Sequence, residues 1–240
     1  MELTLTREYD RTVLPLRDNV PTRSFPVITY GLIAANFGVW FWELHARVHD
    51  INRYSFYPCT VHGPCAGVVA GHAPWWESAF SSMFMHASWW HILGNMLFLW
   101  IFGNNVEDAL GRLRFLLFYL ASGLVAMAGQ TLVTLHYAGT SAASVPNLGA
   151  SGAIAGVLGA YLVLLPRASV LSLVGFFLIP VPAFVFLGLW FALQLWEGGF
   201  SVTHPTAGGG VAFFAHVVGF VFGLAAVRPL TIRKPLAPAW

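Results

Sequence analysis

Along this chain polar and apolar residues gather into long blocks instead of alternating with a strand or helix period. Six apolar stretches can be read, at approximately 26–45, 85–104, 113–135, 149–166, 180–196 and 210–227. A helix that crosses a bilayer needs about 20 mainly apolar residues, and all six come close to that length. The fourth and fifth are short: Pro166 ends one, and Pro180 and Pro182 delimit the start of the other, because proline cannot continue a helix from within. Between them Ala168–Ile179 is apolar but too short to cross alone, and it reads as an interfacial or connecting piece. The pattern predicts an all-α polytopic membrane protein with six transmembrane helices. A short arm, 1–25, precedes the 26–227 bundle; a long loop, about 46–84, joins its first two helices; a short tail, 228–240, follows.

Composition agrees. Of the 240 residues 57% are hydrophobic and 9% charged, where a soluble domain carries about 25% charged residues. A soluble fold is excluded. A net charge of +2, dispersed along the chain, offers no basic patch for nucleic acid. The N-terminal arm carries Arg7, Arg11, Arg17 and Arg23 and no apolar core, which predicts an uncleaved arm instead of a signal peptide. With the N-terminus inside, the inner segments hold those four arginines together with Arg112, Arg114, Arg167, Arg228, Arg233 and Lys234. The outer loops hold only Arg47 and Arg53. By the positive-inside rule both termini are expected in the cytoplasm, with the 46–84 loop outside. Cys59 and Cys65 share that loop, either as two thiols or as a disulfide, and an oxidising outer face is where a disulfide persists. Trp75 and Trp76 in the same loop suit headgroup depth. The chain shows no internal repeat and none of the paired broken helices of inverted-repeat transporters.

Against this apolar background a few polar residues stand where lipid disfavours them, and each needs a partner or a role. His86 and His91 fall at the outer end of the second stretch, with Asn95 one turn further in and on the same helix face as His91. Ser151 lies in the first turn of the fourth stretch, and His216 about 9 Å down the sixth. Each has a plain structural explanation: small-residue helix packing around Ser151 and His216, interfacial histidines, an Asn bonding between helices. The glycine stripes Gly149, Gly152, Gly156, Gly159 and Gly219, Gly223 bring the fourth and sixth helices close, which is also what a Ser–His hydrogen bond requires. The fourth stretch is about 27 Å of helix against a core of about 30 Å. The preceding Ala138–Leu148 loop then has to dip inward, and irregular backbone at that depth lines protein or water. A wet cavity open to the outer side, with Ser151 at its floor, follows. Glu107 and Asp108 fall at the inner end of the second stretch and Glu197 at the outer end of the fifth. With no carboxylate at the depth of Ser151, a Ser–His dyad is expected.

Three motifs in order, His86-Ala-Ser-Trp-Trp-His91-Ile-Leu-Gly-Asn95, Gly149-Ala-Ser151-Gly152 and Ala215-His216-Val-Val-Gly219, resemble those of the rhomboid intramembrane serine proteases. The resemblance covers essentially all six stretches. It implies that Ser151 is the nucleophile and His216 the general base and later acid. It further implies an oxyanion hole formed by His91, Asn95 and the Ser151 backbone N–H, with His86 supporting the second helix and with Gly149, Gly152 and Gly219 as motif glycines. By the same resemblance the partners are transmembrane protein substrates, cut near their outer ends within the lipid bilayer, without metal or cofactor. The membrane is expected to be a bacterial plasma membrane. The chain departs from many relatives at Trp75-Trp76-Glu77, where they carry a Trp-Arg pair. In some members an aromatic one turn after the nucleophile stacks on the catalytic histidine; here that residue is Ala155.

Two rivals remain. A b-type haem protein would use His86 or His91 with His216 as axial ligands, but leaves Gly-x-Ser-Gly without a purpose. A catalytically silent rhomboid-like binder or chaperone of transmembrane segments usually lacks the serine or the histidine, and this chain keeps both. The glycine-rich Gly198–Gly210 connection, ending in Gly208-Gly209-Gly210, is a candidate lid over substrate entry between the fifth and sixth helices.

Overall fold

A computed structural model of the chain describes residues 13–62, 65, 71–138, 142–203 and 212–239. Arg7, Arg11 and the glycine triplet 208–210 lie outside the described residues. The protein is mostly helical. In chain order its elements are strand β1 (Val13–Asp18), helices α1 (Val27–Glu43), α2 (Val48–Tyr54), α3 (Trp75–Ser81), α4 (Trp89–Leu110), α5 (Arg112–Val133) and α6 (Ser151–Leu164), strands β2 (Ser169–Val174) and β3 (Phe177–Pro182), and helices α7 (Ala183–Thr203) and α8 (Phe213–Leu230).

Helix α6 is the axis of the bundle. Every residue from Gly152 to Tyr161 is buried, walled by α4, α5 and α8. At 14 residues it is about 21 Å long, shorter than the 22-residue helices α4 and α5 beside it. Its contact with α8 depends on missing side chains. A Cβ on Gly219 would run into the Gly152 carbonyl oxygen, and one on Gly223 into that of Gly156. Backbone therefore packs on backbone, the close approach that small residues allow between membrane helices. Among the described residues three helical segments are long and apolar enough to cross a membrane: Arg112–Tyr137, Ala183–Ser201 and Phe213–Leu230. Helix α4 is 22 residues long, but its C-terminal end carries Asn104, Asn105, Glu107 and Asp108.

Those polar residues are structural. The Glu107 carboxylate accepts hydrogen bonds from the Ile28 and Thr29 backbone N–H groups at 3.0 and 2.7 Å and from the Thr29 hydroxyl at 2.7 Å. A negative charge thus caps the N-terminus of α1, where the helix dipole favours it. Asp108 pairs with Arg23 at 2.9 Å, and the same guanidinium donates to the Lys234 carbonyl at 2.8 Å. Arm, helix start and C-terminal tail are sewn together at one end of the bundle.

An all-α architecture is corrected in one place. Strands β1, β2 and β3 form a three-stranded antiparallel sheet in that order. The Ala168–Ile179 piece is mostly a hairpin that turns at Gly175, φ +61°, and the arm supplies the third strand. The segment is rich in β-branched and aromatic residues, which suit strands. Pro180 and Pro182 are tolerated because β3 is an edge strand, where a missing donor breaks no ladder. The Asp18 carboxylate fastens β1 to the bundle by accepting from the Asn105 amide and the Tyr161 hydroxyl, both at 2.6 Å.

The long loop between α1 and α4 is folded. Besides α2 and α3 it contains a bond between the sulfurs of Cys59 and Cys65. Phe56 pairs with Asn147, whose N–H donates to the Phe56 carbonyl at 2.7 Å, and the Gly149 N–H donates to the Ser82 carbonyl at 2.8 Å. This loop therefore fixes the backbone that leads into Ser151.

Candidate active site

Ser151 is the first residue of α6 and His216 sits in the first turn of α8. The Ser151 hydroxyl lies 2.8 Å from His216 Nε2. Close approach of the two helices through Gly152 and Gly219 makes that distance attainable. On the far side of the ring, His216 Nδ1 lies 2.6 Å from Oε1 of Gln194, which projects from α7. An amide oxygen carries no hydrogen, so Nδ1–H donates to it and Nε2 is left as the acceptor of the serine proton. This is the tautomer that a general base needs.

One turn after Ser151 stands the small, buried Ala155, and the covering of the His216 imidazole comes instead from α7. The Trp190 ring lies 5.9 Å from that of His216, tilted by 37°, and Phe213 meets the ring edge-on at 6.4 Å. Trp190 and Gln194 are four residues apart and share one face of α7.

His86, His91 and Asn95 gather around the start of α4. The Asn95 amide nitrogen lies 3.0 Å from His86 Nε2; it can only donate, so His86 carries its own proton on Nδ1 and gives it to the Phe84 carbonyl at 3.2 Å. His86 is buried, and its backbone N–H donates to the Glu43 carboxylate at 3.0 Å. The Ala87 N–H donates to His91 Nδ1 at 3.4 Å, which puts the His91 proton on Nε2. Both donors, His91 Nε2–H and the Asn95 amide, border Gly149. A Cβ built there would stand 2.8 Å from His91 Nε2 and 3.8 Å from the Asn95 nitrogen. Gly149 also has φ +123°, a conformation that side chains resist. Ala150 caps α6 without a side-chain hydrogen bond, and the first N–H groups of a helix have no intrahelical acceptor. Donors from α4 therefore stand beside Gly149, two residues before the first residue of α6.

Behind Ser151 lies a cavity of about 20 Å³ bordered by Gln130, Asn147, Met83 and Met127. It is large enough for one water molecule, and the Asn147 amide nitrogen, buried without a hydrogen-bond partner, is a donor on its wall. Gln130 also caps the start of α8, where its Oε1 accepts from the Ala215 N–H at 3.1 Å. Gln130 and Gln194 are absent from the residues that the sequence pattern singles out, although each interrupts a long apolar run, the signal that picks out Ser151 and His216. Among the described residues no group of three His, Cys, Asp or Glu side chains could hold a metal ion.

Comparison with known proteins points one way. The model of the rhomboid domain matches residues 72–233. The chain is 36% identical over 154 residues to Rhomboid protein 1, mitochondrial, of Saccharomyces cerevisiae, covering 61% of this chain and 40% of that protein. To the putative rhomboid protease YdcA of Bacillus subtilis it is 35% identical over 143 residues, covering 58% and 63%. To the rhomboid protease GluP of the same organism it is 32% identical over 162 residues, covering 67% and 27%. The matches thus span less than two thirds of the length of each of these relatives.

Proposed function

The chain belongs to the rhomboid family, and from that premise we propose that it is an intramembrane serine endopeptidase that cleaves transmembrane segments of other membrane proteins. The observation that carries this reading is the 2.8 Å contact between Ser151 Oγ and His216 Nε2, in the one tautomer that can accept the serine proton. Ser151 Oγ attacks the scissile carbonyl as its proton passes to His216 Nε2. Negative charge develops on the carbonyl oxygen and meets the His91 Nε2–H, the Asn95 amide and the Ser151 backbone N–H. Donors already oriented toward that charge need no rearrangement during the reaction. His216 then protonates the leaving amine. A water, of which the cavity behind Ser151 has room for one, opens the acyl-enzyme with His216 again as base.

The six-span topology belongs to this proposal. α1, α4, α5, α6, α7 and α8 correspond to the six apolar stretches. The distribution of Lys and Arg supports an orientation with the sheet and both termini in the cytoplasm and the Ser151 cavity toward the outer side. The relatives include both bacterial and mitochondrial proteins, and a bacterial plasma membrane is the location proposed here.

The test is reconstitution of the full chain in liposomes with a model single-span substrate, followed by mass determination of the products. The expected result is one cut near the outer end of the substrate span by the wild type and none by Ser151→Ala. An intact substrate in the presence of folded wild type, across several substrates with small or helix-destabilising residues at that depth, would favour a binder that does not cut.

A further inference from the structure

A histidine can act as general base only while the correct nitrogen is free. In the buried, low-dielectric setting between α6, α7 and α8 an imidazole has two neutral tautomers of similar energy, and in one of them Nε2 carries the proton and cannot accept from serine. Water-exposed enzymes of this kind settle the choice with a buried carboxylate on Nδ1. Here no carboxylate is among the described groups that touch His216. Those groups are Ser151 from α6, Trp190 and Gln194 from α7, and Phe213 from its own helix. The titratable group that faces it from α4 is His91.

We propose that Gln194 is the positioning residue of the site, fixing the proton of His216 on Nδ1 and the plane of its ring, in the place that a carboxylate holds in a three-residue site. The proposal rests on the serine-protease reading of Ser151 and His216. Three observations support it. The Nδ1···Oε1 distance of 2.6 Å is short for a nitrogen–oxygen hydrogen bond. The acceptor is an oxygen without a hydrogen, so the bond exists in one tautomer only. Trp190, on the same face of α7, covers the ring but offers it no hydrogen bond, so orientation about the ring's own axis is left to Gln194 and Ser151.

A neutral amide is the physically sensible choice at this depth. A carboxylate would bring a charge into the membrane interior, where charge is expensive. The amide selects the tautomer without one. What it forgoes is attraction for the imidazolium formed during the reaction. Substitution by glutamate keeps the acceptor oxygen and adds the charge, so it separates positioning from mere helix packing.

The experiment measures the rate at which a fluorophosphonate modifies Ser151 in the purified full chain in detergent, as a function of pH, by intact mass. Gln194→Met keeps the volume and removes the acceptor; its rate is expected to fall about 10- to 100-fold with the melting temperature unchanged. Gln194→Glu is expected to recover to within a few-fold of wild type, with the acid limb of its profile moved to higher pH, because a carboxylate beside the ring favours the imidazolium. A Met variant that reacts at the wild-type rate at every pH overturns the proposal. So does a Glu variant as slow as the Met variant. Should the Met variant fail to fold, an unmoved acid limb in Gln194→Glu overturns it alone. Failure of folded wild type to react at all would instead remove the protease reading itself.

Discussion

Ser151, His216 and Asn95 are separated by the physics of a single residue each. Ser151→Ala removes the attacking oxygen and His216→Ala the proton acceptor, so either is expected to abolish cleavage while thermal unfolding in detergent stays at the wild-type temperature. A residual rate in either variant well above background would mean that the residue is not in the reaction. Asn95→Ala keeps Ser151 and His216 and, on the proposed mechanism, removes one oxyanion donor. Where such a donor has been deleted in other serine proteases the barrier rises by about 3 kcal/mol, so a roughly 100-fold slower rate is expected, and a wild-type rate would take Asn95 out of the oxyanion hole. For single residues much of the site is legible in the sequence. Serine, histidine and asparagine inside apolar stretches are costly enough to draw notice, and their spacing places them at one depth. Gln194 and Gln130 are equally visible as polar residues in apolar helices. Neither has a chemistry of its own to suggest a role, and only the fold shows which ring nitrogen and which backbone N–H each one meets.

Among helices and strands, α6 and α8 hold the dyad together through glycine. A methyl group on Gly219 meets the Gly152 carbonyl, so Gly219→Ala must push the helices apart one turn from His216. The expected loss is about 1–3 kcal/mol of stability, read as a lower melting temperature, together with slower modification of Ser151. Unchanged melting and unchanged reactivity would show that the contact is not as tight as drawn. The sheet is the element that the apolar pattern could not yield. β1 belongs to an arm that is polar in sequence, and its partner strands come from a segment more than a hundred residues away, a pairing no local period encodes. Its anchor has a pH signature. Burial pushes the Asp18 carboxyl from its ordinary 3.8 up to about 6, with the hydrogen bond from Tyr161 pulling part of the way back. A carboxyl that holds its proton more tightly in the folded chain contributes most at low pH, and that contribution is lost as pH rises through about 6. The melting temperature of Asp18→Asn relative to wild type should therefore climb as pH rises across this window, equivalent to something on the order of 2 kcal/mol. A difference independent of pH would mean that burial does not raise the Asp18 pKa.

The whole molecule joins a sealed end to an open one. At one end the arm, α1, α4 and the tail are tied by Glu107, Asp108 and Arg23; at the other the folded loop around Cys59 and Cys65 fixes the backbone that presents Ser151. Ties on both sides of the short central helix hold Ser151 of α6 and His216 of α8 within 2.8 Å of each other. Such a frame should produce a chemically activated serine, and intact-mass analysis after fluorophosphonate treatment reads that activation at its source, with wild type measured beside Ser151→Ala and His216→Ala. A single adduct on Ser151 is expected in the wild type and none in either variant. An unmodified wild type, folded and treated under conditions in which another rhomboid protease reacts, or an adduct that persists in His216→Ala, would show that the serine is not activated by this histidine.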